Sequence, residues 1–343
     1  MKSNYNSKYL YSSGTSLYTS SATGTAGTAT YDSRVWRLVS ISRYGNSSSN
    51  EIRELSGFNV DAITLKKGQL KSPEITPLPA NAIWADATDF TYSGYDISKL
   101  TYDSATGKFS VADSLTTAYA VTVTATHKVT GRTATFLIVA NPRVALIAVN
   151  DPNPQGQHDT MLQGCEEGAE NCGYIPYYQI GAYTTAQIDG ILTDKTNKVV
   201  VIIGHGNFVT NNSGQIIGTC IQLNANDDSI QYRSNGSLAS LDLSHLDLVV
   251  FLNCVSAYGG ESADNLPSVA VERGAKTAIG FSEEVTANTA AYWLKVVFDN
   301  LALGKTVSEA INEADEIYSN VEFEYHNLGS HVICGDPSTK LTG

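Results

Sequence analysis

Two residues end apolar runs in a way that suggests chemistry. His205 closes Val199-Val200-Val201-Ile202-Ile203-Gly204-His205-Gly206, and Cys254 closes Leu248-Val249-Val250-Phe251-Leu252-Asn253-Cys254. A thiol is mostly protonated at neutral pH and becomes nucleophilic when a nearby imidazole takes its proton or stabilises the thiolate. Imidazole is also the side chain whose ordinary pKa suits handing a proton to a leaving group. Gly206 adds a backbone N–H with no Cβ, able to approach an oxyanion closely, and the Cys254 N–H is the natural second donor. Each residue alone has a plainer reading, Cys254 as a small core residue and His205-Gly206 as a turn. Their occurrence at like strand ends makes nucleophilic catalysis the favoured one.

The elements that must position them follow from the same runs. A continuous apolar, β-branched stretch flanked by polar residues reads as a strand of a parallel sheet buried on both faces. In such sheets, reactive groups are presented just beyond the carboxyl ends of the strands. From residue 142 on, strands and helices alternate. Val144–Val149 is a strand, and Thr184-Thr185-Ala186-Gln187 opens a short helix through Leu192 with a capping box. After Cys254, Asp264 caps a helix towards Arg273, and Ala275–Gly280 is the next strand. Thr286–Leu303 is an amphipathic helix with Ala290, Trp293, Leu294, Val297, Phe298 and Leu301 on one face, and Thr306–Glu309 opens another. The expected fold is α/β, a mostly parallel sheet with helices on both faces, over residues 142–343.

The preceding segment differs. Residues 1–34 are rich in Ser, Thr, Tyr, Gly and Ala without a helical period and read as a flexible arm. Residues 35–141 carry short alternating runs separated by turn signals. The clearest are Ala120–Thr126 and Thr133–Val139 around His127–Arg132, a hairpin by composition, with a further turn across Tyr102–Phe109. About a hundred residues of this kind suggest an all-β sandwich.

Composition narrows the partners. The 343 residues carry 22 Lys+Arg against 34 Asp+Glu, a formal charge of −12 without any basic run, which argues against nucleic acid or an anionic membrane. No stretch approaches the roughly 18 apolar residues of a membrane span. Low charge, abundant Ser, Thr, Tyr and Gly, and two Met suit a secreted or cell-surface bacterial protein whose leader lies outside this sequence. Setting Cys254 aside leaves Cys165, Cys172, Cys220 and Cys334. Cys165 and Cys172 bracket a short acidic loop and could form a local disulfide, since no second Cys/His pair completes a zinc site.

Two resemblances add to this reading. Ile63-Thr64-Leu65-Lys66-Lys67-Gly68, Asp103 with Gly107-Lys108-Phe109, and Ala120–Ala125 resemble bacterial Ig-like (group 2) domains over about residues 58–140, which implies a spacer or adhesive module. An apolar strand ending in His-Gly, followed about fifty residues later by one ending in Cys, resembles caspase-type (clan CD) cysteine peptidases. Val269–Gly280 resembles the segment after the nucleophile in gingipain-like and CHAT-domain members, and Cys334-Gly335-Asp336-Pro337 resembles the close of gingipain-type domains. The resemblance implies His205 as base or proton shuttle, Cys254 as nucleophile and Gly206 at the oxyanion hole. Asn253 stands where many members carry Ala, Cys or Gly. Leu252 stands where clostripain-like enzymes carry an Asp that holds a basic P1 side chain.

The expected activity is therefore that of an exported cysteine endopeptidase acting on a protein or peptide. The alternative is an adhesion or scaffold protein whose peptidase-like domain binds without cleaving. Glu283 and Glu284, past a strand end, and Asp228, in the loop between His205 and Cys254, are the candidates for holding a basic P1 side chain. Arg233 is a candidate self-cleavage position. No cofactor is required by this chemistry. Ca²⁺ is a candidate only through Asp151, Asn153, Asp159 and the acidic 165–172 stretch, which lack the spacing of a calcium loop. His245 and His331 read as structural, and His158 as a remote candidate for the site. Sequence sets no oligomeric state.

Overall fold

Alternation of apolar and polar residues shapes the first part of the chain, and unbroken apolar runs shape the second. The computed structural model describes residues 9–13, 16–20, 26–27, 55–80, 82, 86–149, 158–224, 230–319 and 327–341. Within the expected arm, β1 (Tyr9–Ser13), β2 (Ser16–Ser20) and β3 (Ala26–Gly27) form a small antiparallel sheet.

Among the described residues nine strands follow: β4 (Gly57–Val60), β5 (Ile63–Leu65), β6 (Leu70–Lys71), β7 (Ile75–Leu78), β8 (Phe90–Ser93), β9 (Leu100–Asp103), β10 (Lys108–Val111), β11 (Tyr119–His127) and β12 (Thr133–Ala140). The hairpin read from composition is β11–β12, paired antiparallel from Tyr119↔Ala140 to Thr126↔Thr133. Strand alternation sends Val123, Ala125, Phe136 and Ile138 inward to a core completed by Phe58, Leu65, Phe90, Leu100 and Phe109. The sheets β5-β12-β11-β8 and β6-β10-β9 both contribute to that core.

Beyond Asn141 the sheet order is β14-β13-β15-β19-β20-β21, built from β13 (Arg143–Val149), β14 (Ile175–Gly181), β15 (Asn197–Ile203), β19 (Leu248–Leu252), β20 (Thr277–Phe281) and β21 (His331–Gly335). The pairs among the first five are parallel, and β21 returns antiparallel on β20. Two faces are buried, which explains the unbroken apolar runs. Val199, Val201 and Ile203 share one core with α1 (His158–Asn171), α4 (Ala287–Ala302) and α5 (Val307–Ser319). Val200 and Ile202 face the other, with α2 (Thr185–Thr193) and α3 (Leu266–Glu272). The α/β expectation holds, a mostly parallel sheet with helices on both faces. Inserted between β15 and β19 is a small antiparallel sheet of β16 (Gly206–Thr210), β17 (Ile216–Gln222) and β18 (Gln231–Arg233).

Several local expectations are refined. The Thr184–Gln187 capping box opens α2, and Thr306 and Glu309 cap α5 reciprocally. The cap of α3 is Asn265 rather than Asp264, its side chain accepting from the Ser268 N–H at 3.0 Å. The stretch 165–172 is not a loop: residues 165–171 are the end of α1, and Cys172 follows directly. A Cβ on Gly168 would stand 2.5 Å from Phe298 Cβ, so this position is small because α4 packs against it. Cys165 and Ala169 on that helix and Cys172 just past its end are buried in one core, and both thiols are free. Seven residues along a helix separate them by about 10 Å, beyond disulfide reach. All five cysteines are free, so the disulfide argument for export falls away.

The two parts meet at a buried lysine. Lys66, just after β5, donates to the carbonyl of Leu341 and lies 4.5 Å over the Tyr174 ring, while Asn141 N–H donates to Leu65 O at 2.9 Å.

Candidate active site

The register of β15 on β19 places Ile203 opposite Leu252. His205 and Cys254 each follow two residues later, at neighbouring strand tips on the same end of the sheet. His205 is exposed and Cys254 is partly exposed. The other four cysteines are buried. Burial pushes the Cys165 thiol up to about 12, and those of Cys172 and Cys220 up to about 11. Such thiols are inert, so Cys254 is the one accessible thiol of the five.

The two tips are bound together by backbone geometry. A Cβ on residue 206 would overlap the Cys254 carbonyl oxygen and stand 3.0 Å from the Cys254 nitrogen, so only glycine fits there. Asn253, almost fully buried, donates from Nδ2 to the Gly204 carbonyl at 2.9 Å and ties one loop to the other. Gly206 pairs with Ile221 while Gln222 N–H donates to His205 O at 2.9 Å. Position 206 is therefore a non-hydrogen-bonded one, and its own N–H and C=O point away from β17. No described residue accepts from the Cys254 N–H.

The turn beyond Cys254 is held from β20. Val255 adopts φ 51°, a left-handed conformation costly for a β-branched residue. Its N–H donates to Glu283 O at 3.0 Å, and Ala257 N–H donates to Phe281 O at 2.9 Å. Ser256 Oγ donates to Phe251 O and accepts from Phe281 N–H, both at 3.0 Å. The Cys254 thiol itself contacts the Val285 carbonyl at 3.5 Å. An accessible thiol, an imidazole on the adjoining strand tip and two N–H groups without an acceptor among the described residues are parts that acyl-transfer chemistry uses.

Among the other sequence candidates, Glu283 and Glu284 are exposed; the Glu283 carbonyl holds the turn after Cys254, and the Glu284 carbonyl accepts from Asn327 Nδ2 at 2.9 Å. Asp228, Asp151 and Asn153 lie outside the described residues, and nothing is described of the His158 and Asp159 side chains. Among the described residues, no group of three or more His, Cys, Asp or Glu side chains is arranged to hold a metal. Arg233 lies within β18, paired with Cys220, so cleavage there would first require unpairing the strand. His245 is buried at the opposite end of the sheet, near Lys195 and Lys198, and is pushed down to about 4 by burial and then by those two cations. His331 stacks on Trp293 and contacts Leu328 O, a structural role. The motif Cys334-Gly335-Asp336-Pro337 is also structural: a Cβ on Gly335 would overlap the Lys276 carbonyl, and Asp336 Oδ1 accepts from Ser338 N–H at 2.9 Å. In the sequence, Asn253 stands out only as a departure from the family pattern. Its signal was a buried amide at the end of an apolar strand, where an unpaired polar group is costly.

The fold and these strand tips define an α/β protein with a Cys/His pair at the carboxyl edge of a parallel sheet. The CHAT domain family matches residues 115–323, and the chain belongs to that family. The match begins inside the all-β part, before β11, rather than at the α/β boundary. Among solved structures, the chain is similar to the Arg-specific cysteine proteinase gingipain R, with 14% identity, TM-score 0.42, and 57% of this chain and 47% of that one covered. It is also similar to the complex of Porphyromonas gingivalis RgpB pro- and mature domains, with 14% identity, TM-score 0.39, and 58% and 49% covered. The chain thus spans about half the length of these structures. No protein of curated function matches it. Among the described residues, no helix is long and apolar enough to cross a membrane.

Proposed function

We propose that the chain is a cysteine endopeptidase. Cys254, as thiolate, attacks the scissile carbonyl carbon. The oxyanion is met by the N–H groups of Cys254 and Gly206. The C–N bond breaks as His205 delivers its proton to the leaving amine, and water, deprotonated by His205, releases the acyl group and regenerates the thiol. The observation that carries this reading is the fit of Gly206 against Cys254, which leaves the one accessible thiol beside an unused N–H and an adjoining imidazole. Family membership supports the reading.

Glu283 and Glu284 are proposed to favour a basic side chain on the acyl side, since their exposed carboxylates follow the strand next to Cys254. The all-β part is proposed to be an Ig-like spacer and the protein to act outside the cytosol, which the low charge and Ser/Thr/Tyr-rich arm favour.

The test is labelling with a peptidyl acyloxymethyl ketone, together with fluorogenic substrates carrying Arg, Lys, Asp or Asn at P1. Labelling that Cys254→Ala abolishes, with turnover lost in His205→Ala, is the expected result. Labelling that survives Cys254→Ala ends the assignment, and absence of turnover under reducing conditions favours the non-cleaving scaffold.

A further inference from the structure

The sheet order gives the cleft a direction. β19 lies between β15 and β20, so Cys254 has His205 on one side and the Glu283–Val285 segment on the other. A leaving amine must lie beside the group that protonates it. The polypeptide on the leaving side of the scissile bond therefore runs towards β15 and the strand that continues from His205, which is β16.

That strand is an edge. Among the described residues it pairs with β17 on one side only. The register that turns Gly206 outward does the same for Phe208, which sits opposite Thr219. Among the described residues the Phe208 N–H is met only by the exposed carboxamide of Asn207, at 2.8 Å, a contact that a substrate carbonyl can replace. Residues 206 and 208 share a face of the strand. Where that face carries no side chain, at Gly206, it abuts Cys254. Where it carries one, at Phe208, the ring meets Tyr258 at 4.9 Å between centroids and 75° between planes. Tyr258 is 44% exposed, yet its backbone is fixed: its N–H donates to Val255 O at 3.0 Å, and its carbonyl accepts from Asn265 Nδ2 at 3.1 Å. The result is a held, half-open aromatic shelf that begins two residues from Gly206.

We infer that Phe208 and Tyr258 form the subsite for an apolar side chain within the first two residues on the leaving-amine side, with the β16 edge receiving that segment's backbone. This rests on the reading of His205 and Cys254 above. Two residues of extended chain span about 7 Å, the distance from Gly206 to Phe208 along the strand. Main-chain pairing along an edge gives affinity, and the side-chain shelf gives selectivity.

The experiment uses the full chain and paired peptides with one fixed acyl side and either Phe or Ser at the first or second leaving-side position. Wild-type kcat/KM should favour Phe by about tenfold, the scale on which apolar pockets discriminate. Phe208→Ala and Tyr258→Ser should each lower that ratio to about twofold, and Phe208→Leu should keep part of it. The ratio within one variant does not depend on how much of the protein is folded. A ratio that is flat in the wild type, or unchanged in both variants, overturns the inference while peptide cleavage and Cys254 labelling leave the peptidase reading standing. If the wild type neither cleaves nor labels at Cys254, both fall together.

Discussion

Gly206 and Cys254 touch backbone to backbone: a methyl on residue 206 would stand 2.9 Å from the Cys254 carbonyl carbon and overlap its oxygen. Gly206→Ala must therefore part the two strand tips. Displacement of about 1 Å in such a site costs on the order of a hundredfold in rate. Peptide turnover by the purified variant should fall by about that factor, with a lowered melting temperature; near wild-type turnover would show that the tips are not coupled.

Asn253 ties the Gly204 carbonyl to the strand bearing Cys254. Asn253→Leu leaves that carbonyl without its partner, a loss of about 1–3 kcal/mol. Urea denaturation should show this loss, and kcat should drop with little change in KM, because what moves is the placement of the thiol.

The five thiols should react in two classes. Alkylation of the native protein by iodoacetamide, followed by peptide mass mapping, should modify Cys254 alone. Cys165, Cys172, Cys220 and Cys334, held protonated by burial, should react only after unfolding. Rapid labelling of any of these four in the folded protein would contradict the packing described.

His245 ties stability to pH. Its folded pKa is about 4, below the ordinary value of about 6.5 in the unfolded chain, so the unfolded state binds the extra proton in between. Stability should fall as pH drops from about 6.5 towards 4, by on the order of 3 kcal/mol across that window. Asp242, lowered to about 2 by hydrogen bonds from Ser244 and then Lys195, acts in the same sense but only below pH 4. Urea midpoints between pH 7.5 and 4.5 should show the slope, and His245→Gln should flatten it.

Much of the fold is legible in the residues. Val199–Ile203 and Leu248–Leu252 are apolar at every position because both faces of their sheet are covered, and such a run leaves few other structures open. Thr184 and Gln187 mark a helix start because a hydroxyl and an amide at that spacing satisfy end groups reciprocally. The end of α1 was not legible. Gly164 and Gly168 carry loop signals locally, and only the approach of Lys295 and Phe298 from α4 explains them. For the site, the two strand tips were readable, whereas the Asn253 tie and the Phe208–Tyr258 pair depend on contacts between distant segments that no local pattern encodes.

The lysine at the junction bears on where the molecule can be divided. Lys66 reaches out of the all-β part to the Leu341 carbonyl and the Tyr174 ring, against a glycine, Gly173, that leaves room for its stem. A fragment starting at residue 142 would inherit an empty socket there, floored by an aromatic ring and a stranded carbonyl. The chain is better regarded as a plug and its receptacle than as two beads on a string.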